Sequence, residues 1–478
     1  MKNPIRFNET ELTRTWIAIA TAVVVSGILI SSLKLLTPYS YWTDELYSVN
    51  ASALNWGELH KRLLSDVHPP LYQAILKIWM TIFGDTEPTT RLMSWLFAIG
   101  SLFVALRFAS KQGMLFFYCV AVCFSANMLF IFYANETRAY AMALFLSTLL
   151  LTLFPFSNIK TPTNGFFATA VTLSLTHYFG LILAGVSLAV IFFRNLKNLS
   201  VLIKTIVTGL ICLAWPIHHI ANGLILSRTG GGANFWIKIE SPLQTIYLAS
   251  YSMIVGLGKL GGLIFVMSLV IGGIICYLNK TAVSEKHKVA EIGFHSVLII
   301  LAIVSLLAVV DSHTPMSTHR NYIVIMPAAV FALAATVQLI AQNNKTIKTA
   351  LLILVTIYSC LALFDSYKQV LKKSQGQDWK NAIAIAAKEA SLHKPYYYPT
   401  EEIVDHYFKK NSIDPSLLSK YTPNETTLVK PAVIVYGNVS EEEFTQLQKE
   451  MRSINARHIF PLDTKKISRS HPGVFVID

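Results

Sequence analysis

The chain has 478 residues, 53% of them hydrophobic and 14% charged, with a formal net charge of +13. Soluble domains carry roughly 25% charged residues, which excludes an ordinary globular fold for the first three quarters of the chain. The Lys and Arg residues concentrate in short loops between apolar runs, and no basic stripe with interleaved aromatics is present in the sequence. That distribution excludes a nucleic-acid surface and reads as a positive-inside bias.

Apolar runs of about 18 residues or more recur, the length a helix needs to cross about 30 Å of hydrocarbon. The fold class expected is a polytopic α-helical membrane protein. Lys2, Arg6 and Arg14 put the N-terminus in the cytoplasm. The first run, Trp16 to Leu36, lacks a small-residue cleavage site and reads as an uncleaved anchor. A first outer loop, 37–88, contains two amphipathic pieces, Leu54–Leu64 and Pro70–Phe83. The second opens with Pro-Pro, which a first helical turn tolerates, and reads as lying in the interface. Further spans are expected near 89–108, 113–133, 139–156, 165–178, 180–193, 201–219, 255–278, 293–310, 322–340 and 349–365, about eleven in all. An odd count leaves the termini on opposite sides. No internal repeat supports an inverted-repeat transporter. Cys119, Cys123, Cys212, Cys276 and Cys360 all lie in apolar runs and read as small buried hydrophobes.

After Asp365 the composition turns to mixed charged and polar residues, dividing the chain into a membrane domain, 1–365, and a soluble domain, 366–478. A helix over Asp378–Leu392, a buried strand over Ala432–Tyr436, a helix over Glu441–Ile454 and a strand over Val474–Ile477 are expected. They describe a small α/β domain, external by the parity of the spans.

Polar clusters recur at successive outer mouths of the spans. Asp44 and Glu45, in Tyr41-Trp42-Thr43-Asp44-Glu45-Leu46-Tyr47, are adjacent carboxylates just past the first span. Carboxylates there are costly without a use, and adjacent side chains point apart, so one faces a reaction site while the other supports it or binds an ion. His68, before Pro69-Pro70, is held extended, as an imidazole that binds phosphate, donates to a sugar hydroxyl or joins a divalent-metal site does. Glu136, Arg138 and Tyr140 follow span three, and Glu136 and Tyr140 share a face if the helix continues. His177-Tyr178 lies at a later outer turn, and His319, Arg320 and Tyr322 open span ten from outside. An outer arginine breaks the charge bias, and an anionic lipid phosphate supplies a reason for it, interfacial snorkelling being the alternative. Arg228 beside Gly230-Gly231-Gly232 suggests a loop that closes over a ligand.

In these motifs, and in their order relative to the spans, the membrane part resembles the C-type glycosyltransferases. It is most similar to the bacterial protein-O-mannosyltransferase and lipid A aminoarabinose-transferase branch (glycosyltransferase family 39-like). Gln377-Asp378-Trp379-Lys380 is similar to the opening of the periplasmic domain in such chains. One departure is Asn321, between Arg320 and Tyr322, where many relatives run Arg-Tyr directly. The resemblance implies a multi-pass enzyme of the bacterial inner membrane with an external site and a polyprenyl-phosphate sugar donor. It makes Asp44 the catalytic carboxylate. It leaves open a divalent metal, for which Asp44, His68 and Glu136 are the candidate ligands.

The expected reaction is an inverting transfer to a lipid, glycan or protein acceptor. Asp44 acts as base, Glu45 and Glu136 act beside it, and Arg138 and Arg320 stabilise the leaving phosphate. His68, Tyr140, His177, Tyr178, Arg228, His319 and Tyr322 complete the substrate-binding set. A flippase of lipid-linked saccharide would line the bilayer midplane with its polar residues, whereas here they gather at one face. An O-antigen ligase or polymerase would rely on basic residues in a large late loop, whereas here the acidic cluster is early.

Overall fold

The computed structural model describes residues 9–36, 40–64, 66, 68–156, 161–222, 239, 241–253, 258–279, 285–341, 344–374, 378–398, 401–423, 425–437, 439–461 and 472–478. Arg228, the triple glycine at 230–232 and Gln377 lie outside the described residues.

The helices run α1 (Glu9–Leu36), α2 (Thr43–Ala53), α3 (Trp56–Leu64), α4 (Leu71–Phe83), α5 (Glu87–Ala109), α6 (Met114–Ala126), α7 (Met128–Tyr133) and α8 (Tyr140–Leu153). They continue with α9 (Asn164–Ser174), α10 (Tyr178–Arg194), α11 (Leu199–Ala221), α12 (Pro242–Met253), α13 (Gly258–Asn279) and α14 (Glu285–His313). A 3-10 helix, His319–Ile325, leads into α15 (Met326–Ala341), and α16 (Lys345–Ser374) follows. Among the described residues, six stretches are long and apolar enough to cross a membrane: α1, α5, α11, α14, the 3-10 helix with α15, and α16. The shorter apolar helices are α4, α6, α8, α10 and the Leu263–Asn279 part of α13. The chain is a multi-pass membrane protein.

Several expectations are corrected. The span expected at 113–133 is broken at Asn127, whose backbone is extended (ψ 132°) and whose Oδ1 accepts the Leu129 N–H at 2.9 Å. An asparagine that caps the next helix ends the previous one. The span expected at 165–178 stops at Ser174, and His177 caps α10 instead, its Nδ1 accepting the Phe179 N–H at 3.1 Å. Pro70 precedes its helix as the cap residue rather than opening it. The span expected from 322 begins as the 3-10 turn at His319. Cys360 is exposed, unlike the other four cysteines, because it shares the outer face of α16 with Leu354, Ile357, Leu361 and Phe364.

The chain divides into two compact units. The larger holds Met1–Leu35, Ala51–Asp85 and Thr89–Lys368. Within it, α1 crosses α6 closely enough that a Cβ at Gly27 would overlap the Ser125 carbonyl. Such close backbone approach at small residues is how helices pack in membranes. Phe108, Phe116 and Phe331 form an aromatic core, with ring centroids 5.0–6.3 Å apart. Gln338 ties α15 to the α5–α6 turn, donating to the Gln112 carbonyl and accepting the Phe116 N–H, each at 2.9 Å.

The second unit holds Leu36–Asn50, Thr86–Pro88 and Gln369–Asp478. Its five-stranded sheet comprises β1 (Lys394–Tyr398), β2 (Ser419–Lys420), β3 (Ala432–Tyr436), β4 (Arg457–Phe460) and β5 (Gly473–Ile477) in the order β2-β1-β3-β5-β4. β1 pairs parallel to β2 and β3, and β5 pairs antiparallel to β3 and β4. The aromatic and β-branched runs of β1, β3 and β5 suit strands, and β3 is buried along its whole length as a central strand should be. Helices α17 (Trp379–Glu389), α18 (Glu401–Lys410) and α19 (Glu441–Ser453) complete it. The core gathers Tyr396, Tyr398, Ile434, Tyr436, Leu447 and Phe475. Strands β1, β2 and β4 and helix α18 had not been expected from the sequence.

Residues 40–50 are held inside this unit. The Tyr407 hydroxyl accepts the Tyr41 N–H at 2.7 Å and donates to Glu87 Oε1 at 3.0 Å. The Ser40 hydroxyl accepts the Lys380 N–H at 2.8 Å.

Candidate active site

In the larger unit, six of the expected residues, joined by Asp66, converge from four places in the sequence. Asp66 and His68 come from the stretch before α4, Arg138 and Tyr140 from the turn opening α8, His177 from the cap of α10, and His319 and Arg320 from the 3-10 helix. Both Asp66 carboxylate oxygens lie 3.2 Å from His68 Nδ1. A carboxylate at this pH only accepts, so Nδ1 carries the proton and Nε2 is left as an acceptor. Arg138 Nη2 is 3.2 Å from that Nε2. Asp66, His68 and Arg138 thus form a chain that aims a guanidinium.

His177 lies at the centre, 4% exposed, with its ring centroid 6.3 Å from His68 and 5.8 Å from Tyr140. The Arg320 guanidinium stands 5.7 Å over the Tyr140 ring, a cation–π distance. Tyr133, whose ring is 4.9 Å from that of Tyr140, meets His319 Nε2 through its hydroxyl at 3.1 Å. Burial, then the neighbouring His68 ring and the Arg138 and Arg320 guanidiniums, hold the His177 pKa down at about 3. The ring is neutral at physiological pH and senses a field of positive charge from several sides.

Glu136 and Tyr140 do not share a helical face, because residues 134–139 form a turn between α7 and α8. Glu136 is fully buried, 3.7 Å from Lys34 Nζ, and Lys34 also lies 4.9 Å over the Phe132 ring. The Arg138 N–H donates to the Glu136 carbonyl at 2.7 Å, and Thr137 Oγ1 lies 2.9 Å from Thr90 Oγ1. The pair with Lys34 therefore anchors the turn that presents Arg138. Tyr178 turns away from His177: its hydroxyl meets His219 Nδ1 on α11. Tyr322 is fully buried and bonds to Ser317 Oγ at 3.2 Å and to the Thr245 carbonyl at 3.3 Å.

In the second unit, Asp44 and Glu45 occupy the first turn of α2. Glu45 is 1% exposed and its Oε2 accepts the Trp42 N–H at 3.3 Å, the reach-back of a third-position carboxylate to the cap. Asp44 is partly exposed, and its carbonyl accepts the Ser48 hydroxyl at 3.1 Å.

Among the described residues, no three His, Cys, Asp or Glu side chains are grouped to hold a metal ion. His68 presents both ring nitrogens to Asp66 and Arg138, and Glu136 is paired with Lys34.

Sequence reasoning missed Lys34, Asp66, Tyr133, His219 and Asp311. Lys34 and Asp66 left a signal: a cation near the outer end of an apolar run, and an acid two residues before His68. Asp311 is 1% exposed near the end of α14. It accepts from Thr245 Oγ1 at 2.7 Å and from the Met316 and Ser317 N–H groups at 2.9 and 3.0 Å, fixing the loop before His319.

No protein-family profile matches the chain, and no curated protein is significantly similar to it. Solved structures are similar along its whole length. The chain is 11% identical to ArnT from Cupriavidus metallidurans in the apo state, covering 97% of this chain and 98% of that one with a TM-score of 0.56. The same protein bound to undecaprenyl phosphate is 12% identical, with 98% of each chain covered and a TM-score of 0.52. At these identities the likeness shows the fold. The chain has the C-type glycosyltransferase fold, with a small C-terminal α/β sheet domain.

Proposed function

We propose that the chain transfers a sugar from a polyprenyl-phosphate donor to an acceptor hydroxyl by a single inverting displacement. The reaction takes place on the periplasmic face of a bacterial inner membrane. The N-terminus is cytoplasmic, and the unit carrying the sheet is periplasmic. One observation carries the reading: Arg138 and Arg320 flank a buried, neutral His177 where helix ends of a C-type fold meet. Two guanidiniums around a dry, neutral ring suit a phosphate. ArnT, which shares the fold, was solved with undecaprenyl phosphate.

In this mechanism the acceptor oxygen attacks the anomeric carbon and its proton passes to a carboxylate, the part that the resemblance to the C-type glycosyltransferases gives Asp44. The bond from that carbon to the phosphate oxygen breaks, and the electron pair leaves with the phosphate. A phosphate is a weak base, so it needs charge stabilisation rather than a strong general acid, and Arg138 and Arg320 supply it. Glu45 maintains the turn of α2 that presents Asp44. His319 and Tyr140 hydrogen-bond the sugar or the acceptor.

The test is transfer by purified protein supplied with radiolabelled polyprenyl-phosphate sugars and membrane extract. Transfer by wild type that is lost in folded Asp44→Asn and Arg138→Gln proteins supports the reading. Lipid binding without transfer from any carrier would replace it with a transporter.

A further inference from the structure

We propose that His219 is a positioning residue that aims Arg138 by holding the turn that carries Asp66 and His68. The proposal rests on the reaction just described. A polar side chain in a membrane helix is costly unless it is used, and His219 is fully buried in the last turn of α11. Both of its nitrogens are engaged. Nε2 lies 2.8 Å from the Leu63 carbonyl oxygen, and Nδ1 meets the Tyr178 hydroxyl. A carbonyl only accepts, so Nε2 carries the proton and the Tyr178 hydroxyl donates to Nδ1. The ring is thereby fixed in one neutral tautomer, and Trp215, with its centroid 4.6 Å away, packs against it.

The Leu63 carbonyl has a second donor, the Asp66 N–H at 3.2 Å. His219 therefore orients the same carbonyl that closes the turn after α3 and sets the Asp66 backbone. From Asp66 the chain continues through His68 to Arg138. Tyr178, at the other end, is the residue next to His177. One unbroken series of hydrogen bonds thus joins α10 and α11 to the guanidinium. A shift of about 1 Å in a positioned group can cost about 100-fold in rate, so this distant histidine has leverage on turnover.

The experiment uses the full-length protein in nanodiscs with a polyprenyl-phosphate sugar donor. His219→Leu should lower kcat roughly 10- to 100-fold with a smaller change in the donor KM. His219→Gln, whose carboxamide can donate to Leu63 and accept from Tyr178, should recover most of that loss. The double variant His219→Leu/Asp66→Asn should be no slower than Asp66→Asn alone, because both act along one route. Losses that multiply, full kcat in His219→Leu, or no recovery in a folded His219→Gln protein would each overturn the role. Hydrogen exchange over residues 64–70 separates this idea from the reaction beneath it. If wild type transfers nothing, the reaction falls, and faster exchange in His219→Leu but not in His219→Gln still establishes the tether. Unchanged exchange in both variants removes the tether itself.

Discussion

Arg138 Nη2 lies 3.2 Å from His68 Nε2, and His68 is held from behind by both oxygens of Asp66. The carboxylate fixes the tautomer that lets the ring accept from the guanidinium, so the direction of the arginine depends on an acid that need not touch substrate.

Arg138→Gln is expected to lower kcat by about 10²–10³, the cost of removing one preorganised stabiliser of developing charge. Arg138→Lys should restore little, because a lysine cannot reproduce the forked geometry. Asp66→Asn should lose roughly 10- to 100-fold, from an altered His68 tautomer, with the protein still folded. Steady-state rates at saturating donor, with melting curves as control, decide each. An Asp66→Asn enzyme with wild-type kcat would show that His68 needs no partner.

The two adjacent carboxylates of α2 should behave differently. Asp44→Asn is expected to lower kcat by about 10²–10⁴ with little change in melting temperature, as loss of a general base does. Glu45→Gln should lower stability as well as activity, since Glu45 is buried and closes the first turn onto the Trp42 N–H. Its amide can still present an oxygen to that N–H, so the effect should be well below that of Glu45→Ala. If Glu45→Gln abolished transfer in a fully stable protein while Asp44→Asn stayed active, their roles would be exchanged.

His177 should make the protein less stable in mild acid. Its folded-state pKa, about 3, lies below the ordinary 6.5. Above pH 6.5 neither state takes the proton, and the stabilisation is fully present. As pH falls below 6.5 the unfolded chain takes a proton that the folded ring refuses, so stability drops toward pH 3 by at most about 1.4 kcal/mol per pH unit. His177→Asn keeps a side-chain acceptor for the helix cap and removes the titration. Melting temperatures measured between pH 7 and 5 should fall less steeply in the variant than in wild type. Parallel slopes would show that the ring is protonated in the folded state.

The apolar helices and the small C-terminal sheet were legible because each is a local pattern: apolar length or a composition change. What the sequence could not carry was partner choice. Glu136 read as part of a helical pair with Tyr140, yet the chain turns there and the acid pairs with Lys34, about a hundred residues earlier. Tyr178 read as a substrate ligand beside His177, but adjacent residues at a helix start diverge, and its hydroxyl goes to His219. The strand Lys394–Tyr398 was missed because Lys-Pro opens it and three tyrosines give no alternation. A buried parallel strand needs none.

The last prediction concerns Tyr407, whose hydroxyl joins three parts of the second unit. It accepts the Tyr41 N–H, three residues before Asp44, and donates to Glu87, which also lies 3.9 Å from Lys380 Nζ. The C-terminal unit therefore holds the segment that carries the proposed base, so its integrity should matter to turnover. Tyr407→Phe keeps the ring and deletes both bonds, each worth about 0.5–1.5 kcal/mol net, or more where a buried group is left without a partner. We expect a lower melting temperature and a several-fold lower kcat, with donor KM nearly unchanged because the arginines belong to the other unit. Ser40→Ala, which removes the acceptor of the Lys380 N–H, should have the same direction. A Tyr407→Phe enzyme that is destabilised yet turns over at the wild-type rate would separate the sheet domain from catalysis and leave it a purely structural attachment for residues 40–50.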